Sequence, residues 1–243
     1  MNNKVSIFSS NVHLAEACAT EIMNRINENL SSGKTFSLVL PGGSTPGLLF
    51  SILAEHYGTS INWQRVHLFW GDERCVPADH QESNYRLAKQ NLIDKIEILA
   101  TNIHRIKGEE DPYSEADRYQ KEISDNTPSE GVRPVFDLII LGMGEDGHIA
   151  SVFPDNAYLF NSDKVCDVAI HPLTRQKRIT LTGSVINNAD AIFILVTGKN
   201  KATIVSNVLD KNDVTNNYPV SRVNSRSGLV RWYLDKEAAS LLH

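Results

Sequence analysis

The sequence predicts an α/β fold: a single domain over residues 1–243, built on a mostly parallel sheet with helices on both faces, doubly wound and Rossmann-like. Two observations predict it. Short apolar runs alternate with stretches of helical periodicity along the whole chain. The clearest runs, Phe36–Leu40, Phe136–Leu141 and Ala191–Val196, are predominantly apolar rather than alternating, with only Ser37 and Asp137 polar, as in strands covered on both faces.

The elements follow in order. Lys4–Phe8 reads as a first strand. Val12–Leu30 carries Leu14, Ala17, Cys18, Ile22 and Ile26 at helical spacing, with Gly33 as a stop. Phe36–Leu40 is a strand that runs into a glycine turn, and Pro46 then sits in the first turn of a helix to Tyr57. Val66–Trp70 is a third strand. Asn84–Leu92 and Ser114–Ile123 read as helices, and Asp125–Pro134 as a polar loop too short for a domain linker. Phe136–Leu141, closed by glycine, is a buried strand; Arg178–Thr182 and Ala191–Val196 are further strands. Lys199–Leu209 reads as a helix, Leu229–Tyr233 as a last strand and Asp235–Leu242 as a last short helix.

Composition narrows the function. With 24 Lys and Arg against 29 Asp and Glu the net charge is −5, which argues against a nucleic-acid or membrane-surface partner but leaves room for a small anionic substrate. Cys18, Cys75 and Cys166 form no CxxC pair, so neither a disulfide framework nor a metal site is expected, and a reducing, cytoplasmic setting is. No signal peptide and no apolar run long enough for a membrane span is seen.

Ligands of open α/β sheets collect outside the carboxyl ends of the strands. Polar loops at such ends are therefore the candidates. In Pro41-Gly42-Gly43-Ser44-Thr45-Pro46, paired glycines precede a helix N-terminus, whose free N–H groups suit a phosphate; a plain turn capped by Ser44 or Thr45 fits the same residues. Gly71-Asp72-Glu73-Arg74 places three charges after a strand. Arg74 suits an anion and Asp72 a base or sugar hydroxyl; a solvated turn with internal salt bridges is the plainer reading. Gly142-Met143-Gly144-Glu145-Asp146-Gly147-His148 holds a histidine two residues from an aspartate, a general base with an orienting carboxylate. Its Gly-x-Gly-x-x-Gly spacing matches a dinucleotide fingerprint, yet Phe153-Pro154 follows where that fingerprint needs a helix. In Gly198-Lys199-Asn200-Lys201, Lys201 lies in a first helical turn, within reach of a phosphate or simply solvated.

Together PGGSTP (Pro41–Pro46), WGDERCVP (Trp70–Pro77), ESNY (Glu82–Tyr85), FDLIILGMGEDGHIASVFP (Phe136–Pro154), RITLT (Arg178–Thr182) and TGKNK (Thr197–Lys201) resemble the 6-phosphogluconolactonase family, in family order. Pro41 stands where many relatives have Ser. The family shares its fold with the glucosamine-6-phosphate deaminases. Those are similar in the GHIA segment but continue with a glutamate where this chain has Phe153, and tend to a tyrosine where it has Arg74. The resemblance therefore implies lactone hydrolysis, with deamination or isomerisation of a phosphosugar, or non-catalytic phosphosugar sensing, as alternatives. It implies His148 as the base that activates water, Asp146 or Asp72 as its orienter, and Arg74 on the phosphate or the developing charge. Gly42, Gly43, Ser44, Thr45, Arg178 and Lys201 are the implied substrate and phosphate ligands. No cofactor and no metal is implied. The partner is a small phosphosugar lactone, and the chain a monomer or small homo-oligomer.

Overall fold

The structure is a computed structural model that describes residues 4–130, 133–210 and 218–243. Its elements in chain order are β1 (Lys4–Phe8), α1 (Asn11–Ser31), β2 (Phe36–Leu40), α2 (Ser44–Tyr57), β3 (Val66–Trp70), β4 (Asp72–Arg74), α3 (Asn84–Asn91), β5 (Ile103–His104) and α4 (Pro112–Asn126). There follow β6 (Ser129–Glu130), β7 (Arg133–Pro134), β8 (Leu138–Gly142), β9 (Cys166–Ile170), β10 (Lys177–Leu181), α5 (Gly183–Ile186), β11 (Ala191–Val196), α6 (Ala202–Leu209) and β12 (Leu229–Asp235).

Seven strands form one sheet in the order β1-β12-β11-β8-β2-β3-β5. Every pairing in it is parallel. The chain winds outward in two directions: from β2 to β3 and β5 on one side, from β8 to β11 and β12 on the other. Right-handed crossovers then put α1, α2 and α3 on one face and α4 and α6 on the other. The strand order reverses between β2 and β8, where a crevice opens at the carboxyl ends.

Local chemistry accounts for most boundaries. Ser10 caps α1, its side chain accepting the His13 amide. Asp111 caps α4 through the Ser114 amide, with Pro112 in the first turn, so this helix starts before the expected Ser114. The most apolar strands are buried along their length: β2 and β11 expose no residue. The core runs through the whole sheet, with Trp63, Trp70, Trp232 and Phe193 among its largest members.

Several expectations need correction. Asp235–Leu242 is no helix: β12 extends to Asp235, and turns follow. The Asp235 carboxylate accepts the amides of Gly198 and Ala238, so it ties the end of β12 to the β11–α6 loop and holds the following residues in turns. Asp72–Arg74 is a strand rather than a solvated turn, and Arg178–Thr182 does not join the parallel sheet. Instead β4, β10 and the unforeseen β9 form a separate antiparallel sheet. Lys199–Lys201 is a tight 3₁₀ turn before α6. Within Asp125–Pro134, β6 and β7 pair antiparallel; residues 131–132 lie outside the described residues.

Candidate active site

The crevice at the β2/β8 switch point is a cleft of about 270 Å³ lined by Pro41, Gly42, Asp72, Arg74, Gly142–Gly144, His148, Ala150, Arg178 and Lys201. Three loops of the parallel sheet, those after β2, β8 and β11, and the small antiparallel sheet meet there. Of the residues read from the sequence, Asp72, Arg74, His148, Arg178, Lys201 and Gly42 line it. Asp146 stands behind His148. Gly43 and Ser44 are exposed and Thr45 half-buried, beside the lining rather than within it.

The loop after β8 is folded around one pair. His148 Nδ1 donates to Asp146 Oδ1 at 2.5 Å, and the same oxygen accepts the His148 amide at 3.1 Å. The pairing leaves Nε2 as the nitrogen without this carboxylate. Two glycines make the loop possible. Gly147 has φ of +77°, a left-handed conformation that side chains disfavour. A Cβ on Gly144 would stand 2.0 Å from His148 Nδ1 and 2.7 Å from Asp146 Oδ1, so only glycine leaves room for the pair. Burial pushes the Asp146 carboxyl up, while the His148 hydrogen bonds and charge pull it down, and it settles below the usual value. The sequence left two candidates for the carboxylate that orients His148; the one that touches it is Asp146.

Asp72 has other partners. It is 5% exposed, accepts the Ser151 hydroxyl at 2.6 Å and the Asn84 amide group at 3.2 Å, and lines the floor of the cleft. Asn84 also fixes Gly42, where a Cβ would meet Asn84 Oδ1 at 1.9 Å.

Three cations face this floor. Arg74 and Arg178 are directly opposite in the β4–β10 register. Like charges so placed repel, and both guanidinium Nε atoms are buried without a hydrogen-bond partner. Arg74 uses one terminal nitrogen on the Glu82 carbonyl at 2.7 Å. Burial lowers the Arg178 pKa, with nearby Asp72 opposing and Arg74 adding to the shift. Lys201 is half-buried, and its ammonium makes no hydrogen bond or ion pair with the described residues. Burial holds its pKa below the usual lysine value although Glu145 and Asp146 pull the other way. Such a set of desolvated, poorly paired cations is suited to a multiply charged anion.

The glycine-serine-threonine loop supplies a further element. The residue capping α2 is Gly43, at φ +109°, and no side chain caps the helix, so Ser44 and Thr45 are not the caps of the plainer reading. Thr45 Oγ1 and Thr197 Oγ1 are 2.8 Å apart, which ties this helix start to the loop that carries Lys201.

Sequence reasoning missed two residues here. Glu73 faces inward: it is 2% exposed and accepts the amides of Arg74, Asn84 and Tyr85, each at 2.8 Å, and the Ser83 hydroxyl at 3.0 Å. It pins the start of α3 to β4. Phe153 lies fully buried against His148, with ring centroids 4.6 Å apart. Among the described residues no group of three His, Cys, Asp or Glu side chains is placed to hold a metal ion.

Comparison with known proteins places this cleft in context. Residues 9–232 match the family described as glucosamine-6-phosphate isomerases/6-phosphogluconolactonase. A 6-phosphogluconolactonase of Haemophilus influenzae is 44% identical over 204 residues, 84% of this chain and 86% of the relative. One from Treponema pallidum is 38% identical over 194 residues, 80% of each. The structure of 6-phosphogluconolactonase from Trypanosoma cruzi superposes with a TM-score of 0.87 at 30% identity, covering 99% of this chain and 97% of that one.

Proposed function

The chain belongs to the glucosamine-6-phosphate isomerase/6-phosphogluconolactonase family, and from that premise we propose that its cleft hydrolyses 6-phosphogluconolactone to 6-phosphogluconate, a step of the oxidative pentose phosphate pathway. The names of its relatives support the reaction. The observation that carries the assignment to this cleft is the His148–Asp146 pair opening on the same space as Arg74, Arg178 and Lys201.

Asp146 holds the proton of neutral His148 on Nδ1, leaving Nε2 as the base. Nε2 takes a proton from water, and the hydroxide adds to the lactone carbonyl. The tetrahedral oxyanion collapses, the ring C–O bond breaks, and the alkoxide leaving group recovers a proton from the imidazolium. A general base contributes about 10²–10⁴-fold, a sufficient share for a strained ester that already hydrolyses slowly in water.

The substrate carries a phosphate at one end and develops an oxyanion at the other, and the cations divide accordingly. Lys201 and the α2 start, joined through Thr45 and Thr197, take the phosphate: Gly42 and Gly43 let it approach the backbone, and the Ser44 and Thr45 amides face it. Arg74 and Arg178 meet the lactone oxygens and the developing charge, with Asp72 accepting from a sugar hydroxyl. Every group comes from one chain, so the reaction runs in a monomer or in each copy of a small homo-oligomer. We place it in the cytoplasm, where free thiols such as Cys18, Cys75 and Cys166 persist.

The test follows acid release from 6-phosphogluconolactone at neutral pH above the spontaneous rate, with ammonia release from glucosamine 6-phosphate in parallel. Acid release alone is expected. Ammonia without acid release would transfer the chain to the deaminase chemistry of the same family.

A further inference from the structure

Phe153 touches three charged or titratable side chains at once. Its centroid is 4.6 Å from that of His148 with the planes at 52°, and 5.0 Å from that of His171 with the planes at 68°. The Arg178 guanidinium carbon lies 5.7 Å above its face. The ring is 1% exposed, so it is enclosed rather than part of the open cleft.

Its backbone is fixed with equal care. The Phe153 amide donates to Asn156 Oδ1 at 2.5 Å, and Asn156 Nδ2 reaches back to the Ser151 carbonyl. Ser151 in turn donates its hydroxyl to Asp72 and its backbone amide to Thr180 Oγ1. The ring therefore stands in a frame that spans β4, β10 and the loop after β8.

His148 needs such a wall. Asp146 fixes only Nδ1, and a single hydrogen bond to a half-exposed carboxylate two residues away leaves the imidazole free to rotate about it. An apolar ring against one face restricts that rotation and keeps water from the face. The other groups around the ring are Arg74 from β4, Arg178 from β10, Lys201 after β11, Asp72 on the floor and His171 beyond Phe153. Glu145 lies next to Lys201.

We propose that Phe153 is a positioning residue for the reaction: its ring fixes the plane of His148 and withholds water from one face of it, so that the imidazole stays aimed at the substrate. Phe153 also seats Arg178 by its ring face, so both the base and an oxyanion ligand are aligned from one side chain. This inference rests on His148 being the general base.

The test compares Phe153→Leu, Phe153→Met and, as a control for packing loss in the same segment, Val152→Ala at a fully buried neighbour. Each is read by pH–rate profile and by NMR titration of the His148 imidazole. Phe153→Leu is expected to lower kcat by about 10-fold with KM within about 3-fold, and to raise the His148 titration midpoint and the acid limb of kcat/KM together by about half a pH unit. Phe153→Met fills the volume with a flexible chain and should show the same upward shift should the leucine variant fail to fold. Val152→Ala should leave both midpoints in place. Unchanged His148 midpoints in the Phe153 variants, or an equal shift in Val152→Ala, overturn the proposal. The titration reads the ring itself, so its outcome is separate from that of His148→Ala, which tests whether His148 is the base at all.

Discussion

Lys201 gives the sharpest test of how the cleft divides its substrate. Its ammonium is half-buried and has no hydrogen bond or ion pair with the described residues, and burial depresses its pKa. A charge held in that state gains most from a ligand of opposite sign, and a charge-assisted contact is worth about 1.5–3 kcal/mol. At about 1.4 kcal/mol per tenfold, removing it costs roughly 10- to 100-fold. Lys201→Met keeps the apolar stem and removes the charge. The assay measures kcat/KM by acid release for 6-phosphogluconolactone and for plain gluconolactone, in wild type and variant, with the spontaneous rate subtracted. The four values form a cycle in which only a contact between Lys201 and the phosphate survives as a coupling. The variant should lose about 10- to 100-fold on the phosphorylated substrate, chiefly in KM, and no more than about 2-fold on the plain lactone. Inorganic phosphate should inhibit wild type competitively and the variant far more weakly. An equal loss on both lactones would refute the division, because Lys201 would then act at the reacting carbonyl.

Further outcomes follow from the geometry. Gly144→Ala should fold, yet lose kcat by about 100-fold or more, because the new methyl occupies the space of the His148–Asp146 pair; near-normal turnover with a normal melting temperature would contradict the packing. Glu73→Gln should lower stability by about 2–4 kcal/mol in denaturant titration, since an amide cannot accept from the three backbone N–H groups and the Ser83 hydroxyl that the carboxylate serves. The Asp146 carboxyl has a depressed pKa, so its contribution to stability is fully present above the ordinary value of 3.8 and is lost as the pH falls through its lower folded value. A gap in melting temperature between wild type and Asp146→Asn should accordingly persist from pH 8 to about 5 and close only below about 4; a gap already closed at pH 5 would contradict that assignment.

Much of this was legible because the signals were local. Predominantly apolar β2, β8 and β11 announced a doubly covered parallel sheet, and the polar residues after them marked its carboxyl edge. The dense glycines after β8 pointed to the His148 loop, and the structure gives the reason at Gly144 and Gly147. What stayed hidden depended on partners distant in sequence. The triplet Asp72-Glu73-Arg74 looks like a solvated turn, because nothing local reveals that Arg178 will pair opposite Arg74 or that α3 will cap itself on Glu73. Asp235 begins a stretch with helical propensity, yet the Gly198 amide claims its carboxylate and the strand runs on. Phe153 read as a mere difference from a related family until its ring was seen against His148.

The proposed function stands on His148, held by Asp146, activating water in a cleft whose cations bind a phosphosugar lactone. The most direct measurement is the rate of acid release from 6-phosphogluconolactone catalysed by wild type and by His148→Ala, at saturating substrate and neutral pH, with both proteins shown to be equally folded. His148→Ala should lower kcat by about 100-fold or more with KM changed by no more than a few-fold. Turnover by His148→Ala within a few-fold of wild type would contradict it.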